Sequence, residues 1–155
     1  MASAPTVALS RRHAQVRRAL VDRSLDALVV TSLPNILYLT NFAGSSAIVV
    51  IGADRLRFLT DSRYVTTLAD MALAPHACPG LDVIEVGGSY DVALLDQLRS
   101  MTGARVGVEG AHLPVSRFIW LTERLAGAPG APALVPIEGL VEEARVTKDA
   151  HELSA

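Results

Sequence analysis

The sequence predicts a mixed α/β fold built as one unit, and three observations carry that expectation. Of its 155 residues half are hydrophobic and 19% are charged, enough apolar surface at this length to close a single core. Short β-branched runs alternate with amphipathic helical stretches along most of the chain. Two of the runs, "SSAIVVIG" and "RLRFLTD", are joined by a tight "GADR" connection, which sets an antiparallel pair inside a sheet whose other connections are helical. The expected architecture is a mixed sheet of about six strands with helices on both faces.

The first element is a helix over residues 9–25, where Leu9, Val16, Leu20 and Leu25 recur among Arg, Gln and Asp. Ser10 can cap it, or Ser3 or Thr6 can start it earlier, and His13 reads as an edge-of-core histidine. "LDALVVTS" is uncharged after its Asp and reads as a central strand buried on both faces. In "PNILYLTNF", Pro34 suits the first turn of a helix and residues 36–39 supply one or two apolar turns. Asn41 can take a positive φ where that helix must stop. The hairpin follows, and the alternation of Arg with Leu and Phe in its second strand leaves one face wet.

Asp61 or Ser62 caps a helix through "RYVTTLADMAL" that ends before Pro75. "LDVIEVGG" and "ARVGVEG" are strands flanking a helix, "SYDVALLDQLRSM", with Tyr90, Leu94, Leu98 and Met101 on one stripe. A helix from Pro114 to Gly127 leads to a last short strand, "LVPIEG". A charged helix then begins in "EEARVTKDAHELSA", where only Val146, Leu153 and Ala150 offer apolar contact. The unit is therefore expected to span residues 1–140, with 141–155 a linker and the start of a helix belonging to a further domain.

Charge and motifs exclude much. A net charge of −2 argues against a surface that works by neutralising phosphates. Thirteen of the fourteen cationic residues are Arg and one is Lys148, which reads as compositional bias. Cys78 stands alone, so neither an internal disulfide nor a Cys-based zinc site can form. No apolar run approaches the roughly 18 residues of a membrane span, and the N-terminal stretch lacks the pattern of a signal peptide, so a cytoplasmic protein is expected. G-x-S-x-G, Walker and H-E-x-x-H patterns are absent, and no two of the four His residues share helical spacing. Asp61, Glu85 and Glu109 lie at or near strand ends, as the magnesium ligands of a nuclease would. For Glu85 and Glu109, however, an outward-facing charge on an alternating strand is the ordinary explanation.

Two stretches are more specific than a fold requires. In "LTNFAGSSA", Phe42 sits in a loop of small residues as either a packing anchor or an exposed contact. In "TDSRY", Asp61 can cap the helix and pair with Arg63 while Tyr64 packs inward. The alternative is that this turn and the loop present polar groups to a neighbouring domain or subunit.

Taken in order, "LDALVVTSLPNILYLTNFAGSSAIVVIG", "FLTDSRY" and "VGVEG" resemble the N-terminal domain of the creatinase/aminopeptidase P/prolidase family of pita-bread metallopeptidases. "ARVTKDAHEL" adds the family's R-x-x-K-x-x-x-E junction as Arg145, Lys148 and Glu152. The resemblance covers nearly all of the chain from Leu9 onward. It departs at Asn41, where members often carry Gly, and Asn is the next best residue for a left-handed turn.

What the resemblance implies is a ribonuclease H-like three-layer domain without nuclease chemistry, preceding a catalytic domain. It implies subunit association, a homodimer, and a loop after the "NILYL" helix that approaches a partner subunit's active site. Carried onto this sequence, the substrate-pocket or subunit-contact candidates are Tyr38, Asn41, Phe42, Ala43, Gly44, Ser45, Ser46, Arg63 and Tyr64, none of them catalytic. In the family two divalent metals, often manganese, are held by the catalytic domain and activate water against the peptide bond before proline. This chain alone is thus expected to hold no metal and to be inactive, with proline-containing peptides the substrates of the full-length enzyme. A creatine amidinohydrolase-like parent and a freestanding α/β interaction module are the alternatives.

Overall fold

In the computed structural model, which describes residues 2–154, the chain runs α1 (Thr6–Asp22), β1 (Ala27–Val30), α2 (Leu33–Thr40), β2 (Ile48–Gly52), β3 (Leu56–Asp61) and α3 (Ser62–Ala72). It continues through β4 (Leu81–Val86), α4 (Tyr90–Arg99), β5 (Arg105–Glu109), α5 (Val115–Leu125), β6 (Ala133–Ile137), α6 (Leu140–Val146) and α7 (Ala150–Ser154). The strands form one six-stranded sheet in the order β4-β3-β2-β1-β5-β6. β2 pairs antiparallel with both β1 and β3, and every other pairing is parallel. Five strands therefore end at the same edge of the sheet, and the loop into β2 enters from that edge.

Crossover handedness explains the layers. The β3-to-β4 connection steps toward one side of the sheet and the β5-to-β6 connection toward the other. Right-handed crossovers that step in opposite directions must lie on opposite faces. Accordingly α3, with α1, α2 and α6, packs on one face around Leu28, Val30, Val49, Ile51 and Phe58. α5 and α4 cover the other, around Ala27, Val29, Val50, Leu59 and Val108. β1 alternates between the two clusters and is buried throughout, as a strand with helices on both sides must be. The outermost strands differ: β6 carries Pro136, which an edge strand tolerates because half of its donors are unneeded, and β4 carries Asp82 and Glu85.

Three expectations need correcting. The hairpin closes as read, with Gly52 N donating to Arg55 O at 2.8 Å, but its expected wet face is covered by α4. Arg57 reaches across that face to the Gln97 carbonyl and the Ser100 hydroxyl near the C-terminus of α4, where a cation is favoured. The C-terminal segment does not stand off the domain either. It breaks into α6 and α7, and Leu140 and Val141 are buried in the first cluster, while Val146 and Leu153 are exposed. The contact expected of Ala150 lies outside the described side chains. Packing thus runs past the expected boundary at residue 140.

His13 is the third. It is 2% exposed and lies 2.7 Å through Nε2 from the Leu39 carbonyl; since a carbonyl only accepts, the neutral ring donates from Nε2. Burial is the main cause that lowers its pKa, with Arg17 and Arg12 adding to it and the Leu39 bond opposing. An unfolded His protonates near about 6.5, and the folded one resists, so acid favours the unfolded chain. Stability is fully present above that pH and falls as pH drops below it. Urea unfolding between pH 7.5 and 5.5 should show a decline of at most about 1.4 kcal/mol per pH unit, and His13→Gln should flatten it. A flat wild-type profile would contradict this. Among the described residues no helix is long and apolar enough to cross a membrane.

Candidate functional site

The site forms where the loop of residues 41–47 meets the β3–α3 turn at the strand-end edge of the sheet. α2 stops because Asn41 adopts φ +66°, in the left-handed region, which Asn tolerates better than most residues. Its side chain accepts from Ala4 N and donates to the carbonyls of Ala4 and His76. Asn41 is thus a structural clamp on two distant segments. Thr40 Oγ1 donates to Ile36 O and accepts from Phe42 N, which turns the chain inward.

Phe42 is 2% exposed. Its ring meets Phe58 at 4.9 Å and Tyr64 at 5.1 Å between centroids, both edge-to-face. It is the loop's anchor, not an exposed contact. Gly44 lies directly over it, and a β-carbon there would overlap the Phe42 and Tyr64 rings. The glycine is required by space and not by backbone angle. Beyond it Ser45 Oγ pairs with the Tyr64 hydroxyl at 2.8 Å, and that hydroxyl also accepts from Ser45 N. These bonds favour the phenolate and lower the Tyr64 pKa.

Asp61 organises the other side of the site. It accepts from Arg63 N as the cap of α3, and takes Arg63 Nε at 2.7 Å and Nη2 at 2.9 Å in a two-pronged pair. The Tyr90 hydroxyl donates to the same carboxylate at 2.6 Å. Arg63 first, then Tyr90, holds Asp61 well below the usual carboxylate range, and Asp61 raises Arg63 in return. Arg63 remains largely exposed, with Nη2 3.5 Å from Ser46 Oγ and the guanidinium beside the Tyr64 ring. Thr60 Oγ1 fastens the Ser46 carbonyl.

Of the predicted residues the structure brings Ala43, Gly44, Ser45, Ser46, Arg63 and Tyr64 to one surface, with Phe42 beneath it. Tyr38 takes its partners elsewhere: its ring lies under Arg12 and its hydroxyl donates to Ala144 O. Tyr90 was missed; its signal was a phenol opening a helix just after a strand, where its hydroxyl needs a partner. This surface offers a pre-oriented guanidinium and hydroxyls, a set suited to holding a carboxylate or carbonyl.

Glu109 is the larger omission. It is 6% exposed, not outward-facing. One oxygen accepts from Thr31 N at 2.6 Å and Ser32 N at 2.9 Å, and the other from Asn35 Nδ2 at 2.5 Å. Ser32 makes no side-chain cap of its own, so a carboxylate from β5 closes the start of α2. Asn35 also donates to Glu142, which pairs with His112 at 3.3 Å. Burial works against the Glu142 charge, yet its bonds from Asn35 and His112 keep its pKa lowered. Glu85, by contrast, is exposed as read. Cys78 is half-buried, and burial pushes its thiol up to about 12, so it stays protonated and inert. Among the described residues no three His, Cys, Asp or Glu side chains are placed to hold a metal ion.

The sequence matches the Creatinase/Prolidase N-terminal domain family over residues 12–147. It is 28% identical over 139 residues to the uncharacterized peptidase YqhT of Bacillus subtilis, a match covering 90% of this chain and 36% of that protein. An Xaa-Pro dipeptidase from Bacillus anthracis superposes with a TM-score of 0.78 at 24% identity, over 94% of this chain and 38% of its own. An Xaa-Pro aminopeptidase structure from Streptococcus pyogenes superposes with a TM-score of 0.70 at 32% identity, covering 88% of this chain and 96% of that one. The chain therefore spans little more than a third of the length of the first two.

Proposed function

The chain belongs to the Creatinase/Prolidase N-terminal domain family, and from that premise we propose that it serves as the non-catalytic domain of an Xaa-Pro peptidase-like metalloenzyme. In this reading it supports subunit association and lends one wall to the substrate pocket. The carrying observation is the match to a peptidase across 90% of this chain but 36% of that protein, which leaves the greater part of such an enzyme for the chemistry. In this reading a di-metal centre, of manganese or another divalent ion, is assigned to the remainder of the enzyme. The proposed setting is a cytoplasmic homodimer acting on proline-containing peptides.

The part of this chain is recognition. Arg63 is held by Asp61 through Nε and Nη2 while its side chain stays largely exposed. A peptide carboxylate or carbonyl, or the same groups of a partner subunit, would meet an arginine already oriented, with little side-chain freedom left to lose. Ser45, Ser46 and Tyr64 line the same surface.

The test is a paired assay of this chain and its longer parent on an Xaa-Pro peptide with added Mn²⁺. An active parent and a silent 155-residue chain are expected; two silent proteins would redirect the reading to an amidinohydrolase or a binding role. In the parent, Arg63→Ala should shift KM or kcat by about fivefold or more, roughly 1 kcal/mol. Its thermal midpoint should stay within the small range usual for exposed sites. Unchanged kinetics would leave Arg63 as part of a helix cap and nothing further.

A further inference from the structure

Arg12 lies on the buried side of α1 and is 5% exposed, yet among the described residues its hydrogen-bond and ion-pair partners lie outside its own helix. Nη1 donates to the Tyr38 carbonyl at 2.8 Å, and the guanidinium covers the Tyr38 ring at 4.2 Å. Its other side faces α7. Nε and Nη2 each lie 2.8 Å from Asp149 Oδ2, and Nη2 is 3.8 Å from Glu152 Oε2. Those two acids close a reciprocal capping box. Asp149 N donates to Glu152 Oε2 at 3.0 Å, and Glu152 N donates to Asp149 Oδ1 at 2.9 Å.

A helical turn as short as α7 has no stability of its own in water. The preceding residues 145–148 are exposed, so little apolar burial holds the approach to it. Leu140 and Val141 bury the start of α6, and beyond them the ties that hold the junction are polar: Arg145 to Asn35 Oδ1 at 3.0 Å, Tyr38 to Ala144 O, and Arg12 to the capping box. Of these the Arg12 pair is the one that reaches α7. Its arginine side chain is 6% exposed and that of Asp149 18%, and a charge pair withdrawn from water counts for more once both partners are present.

We propose that Arg12 is a positioning residue that locks the α6–α7 junction onto α1 and α2, so that the chain leaves the domain on one fixed heading. The consequence for a parent enzyme, that the following domain is carried at a set angle and not on a loose tether, rests on the function proposed above. The lock itself does not.

Trypsin is the probe, because Lys148 lies exposed between the two helices and Arg145 is exposed in the last turn of α6. In the 155-residue chain, Arg12→Met keeps most of the side-chain volume and removes the charge. Cleavage after Lys148 should accelerate by about tenfold or more, as a local opening becomes easier. Hydrogen exchange should show α7 amides losing protection while those of β1 and β5 keep theirs. Asp149→Asn attacks the same pair from the more exposed partner, should give the same pattern at smaller amplitude, and carries the test should Arg12→Met fold poorly. Unchanged cleavage and exchange in both variants would overturn the lock. Equal loss of protection in β1, β5 and α7 would overturn it too, by making Arg12 a general core residue. Neither readout needs a following domain, so failure here leaves the proposed function standing, and a silent parent enzyme leaves the lock standing.

Discussion

Phe42→Ala will lower the stability of the domain by about 3–5 kcal/mol, the range for removing a buried aromatic ring. Urea denaturation at neutral pH is the direct measurement. The size of the effect follows from what the ring touches. It fills the space between Phe58 and Tyr64 and supports Gly44 from below, so its loss empties the contact between loop and sheet. Phe42→Leu should restore a large part, since most of the apolar volume returns while the edge-to-face geometry does not. A loss below about 1 kcal/mol would mean that the loop collapses onto Phe58 without cost, contrary to the close packing of such interiors. Kinetic effects of Phe42 substitutions in a parent enzyme would be read through this loss of fold. Arg63, which is exposed, is the cleaner probe of function.

Glu109→Ala is expected to cost about 3 kcal/mol, because it leaves two backbone N–H groups and the Asn35 amide buried without their acceptor. For a domain of this size that is a fall in melting temperature of roughly 6–12 °C. Glu109→Gln should fall between the two. Its carbonyl can still accept from Thr31 and Ser32, but its amide sets a donor against the donor of Asn35. Equal melting of wild type and Glu109→Ala would show that water replaces the carboxylate and that α2 needs no cap from β5.

The parts of this fold that were legible are those fixed by neighbours in the chain. Pro34 and Asn41 bracket α2 because a fixed φ and a tolerated left-handed turn are local properties. The hairpin at Gly52 is equally local. Asp61, Arg63 and Tyr64 lie within one turn, and their pairing could be read for that reason. What could not be read depends on partners far away. Glu109 sits 74–78 positions from the groups that it caps, and Arg12 sits 137 from Asp149. In β5 the series Arg105, Gly107, Glu109 looks like a wet face; Arg105 is exposed, but Leu25, Leu28 and Ile137 close over Gly107, and Glu109 is buried beyond it. Arg12 did leave a trace. It falls three residues after Leu9 and beside His13, on the same buried stripe as Val16 and Leu20, and a charged group on that stripe asks for a distant counter-charge.

The two outer strands of the sheet have a consequence for how the protein behaves at high concentration. An exposed edge is a template on which another chain can add a strand, the first step toward aggregation. One border here carries Pro136, which interrupts the row of donors, and the other carries the carboxylates of Asp82 and Glu85. Asp82 is paired with Arg55, so it is Glu85 that copies approaching by that border would set against its like, while the other border offers a place with a donor missing. Both borders of the six-stranded sheet thus carry features that oppose the addition of a further strand.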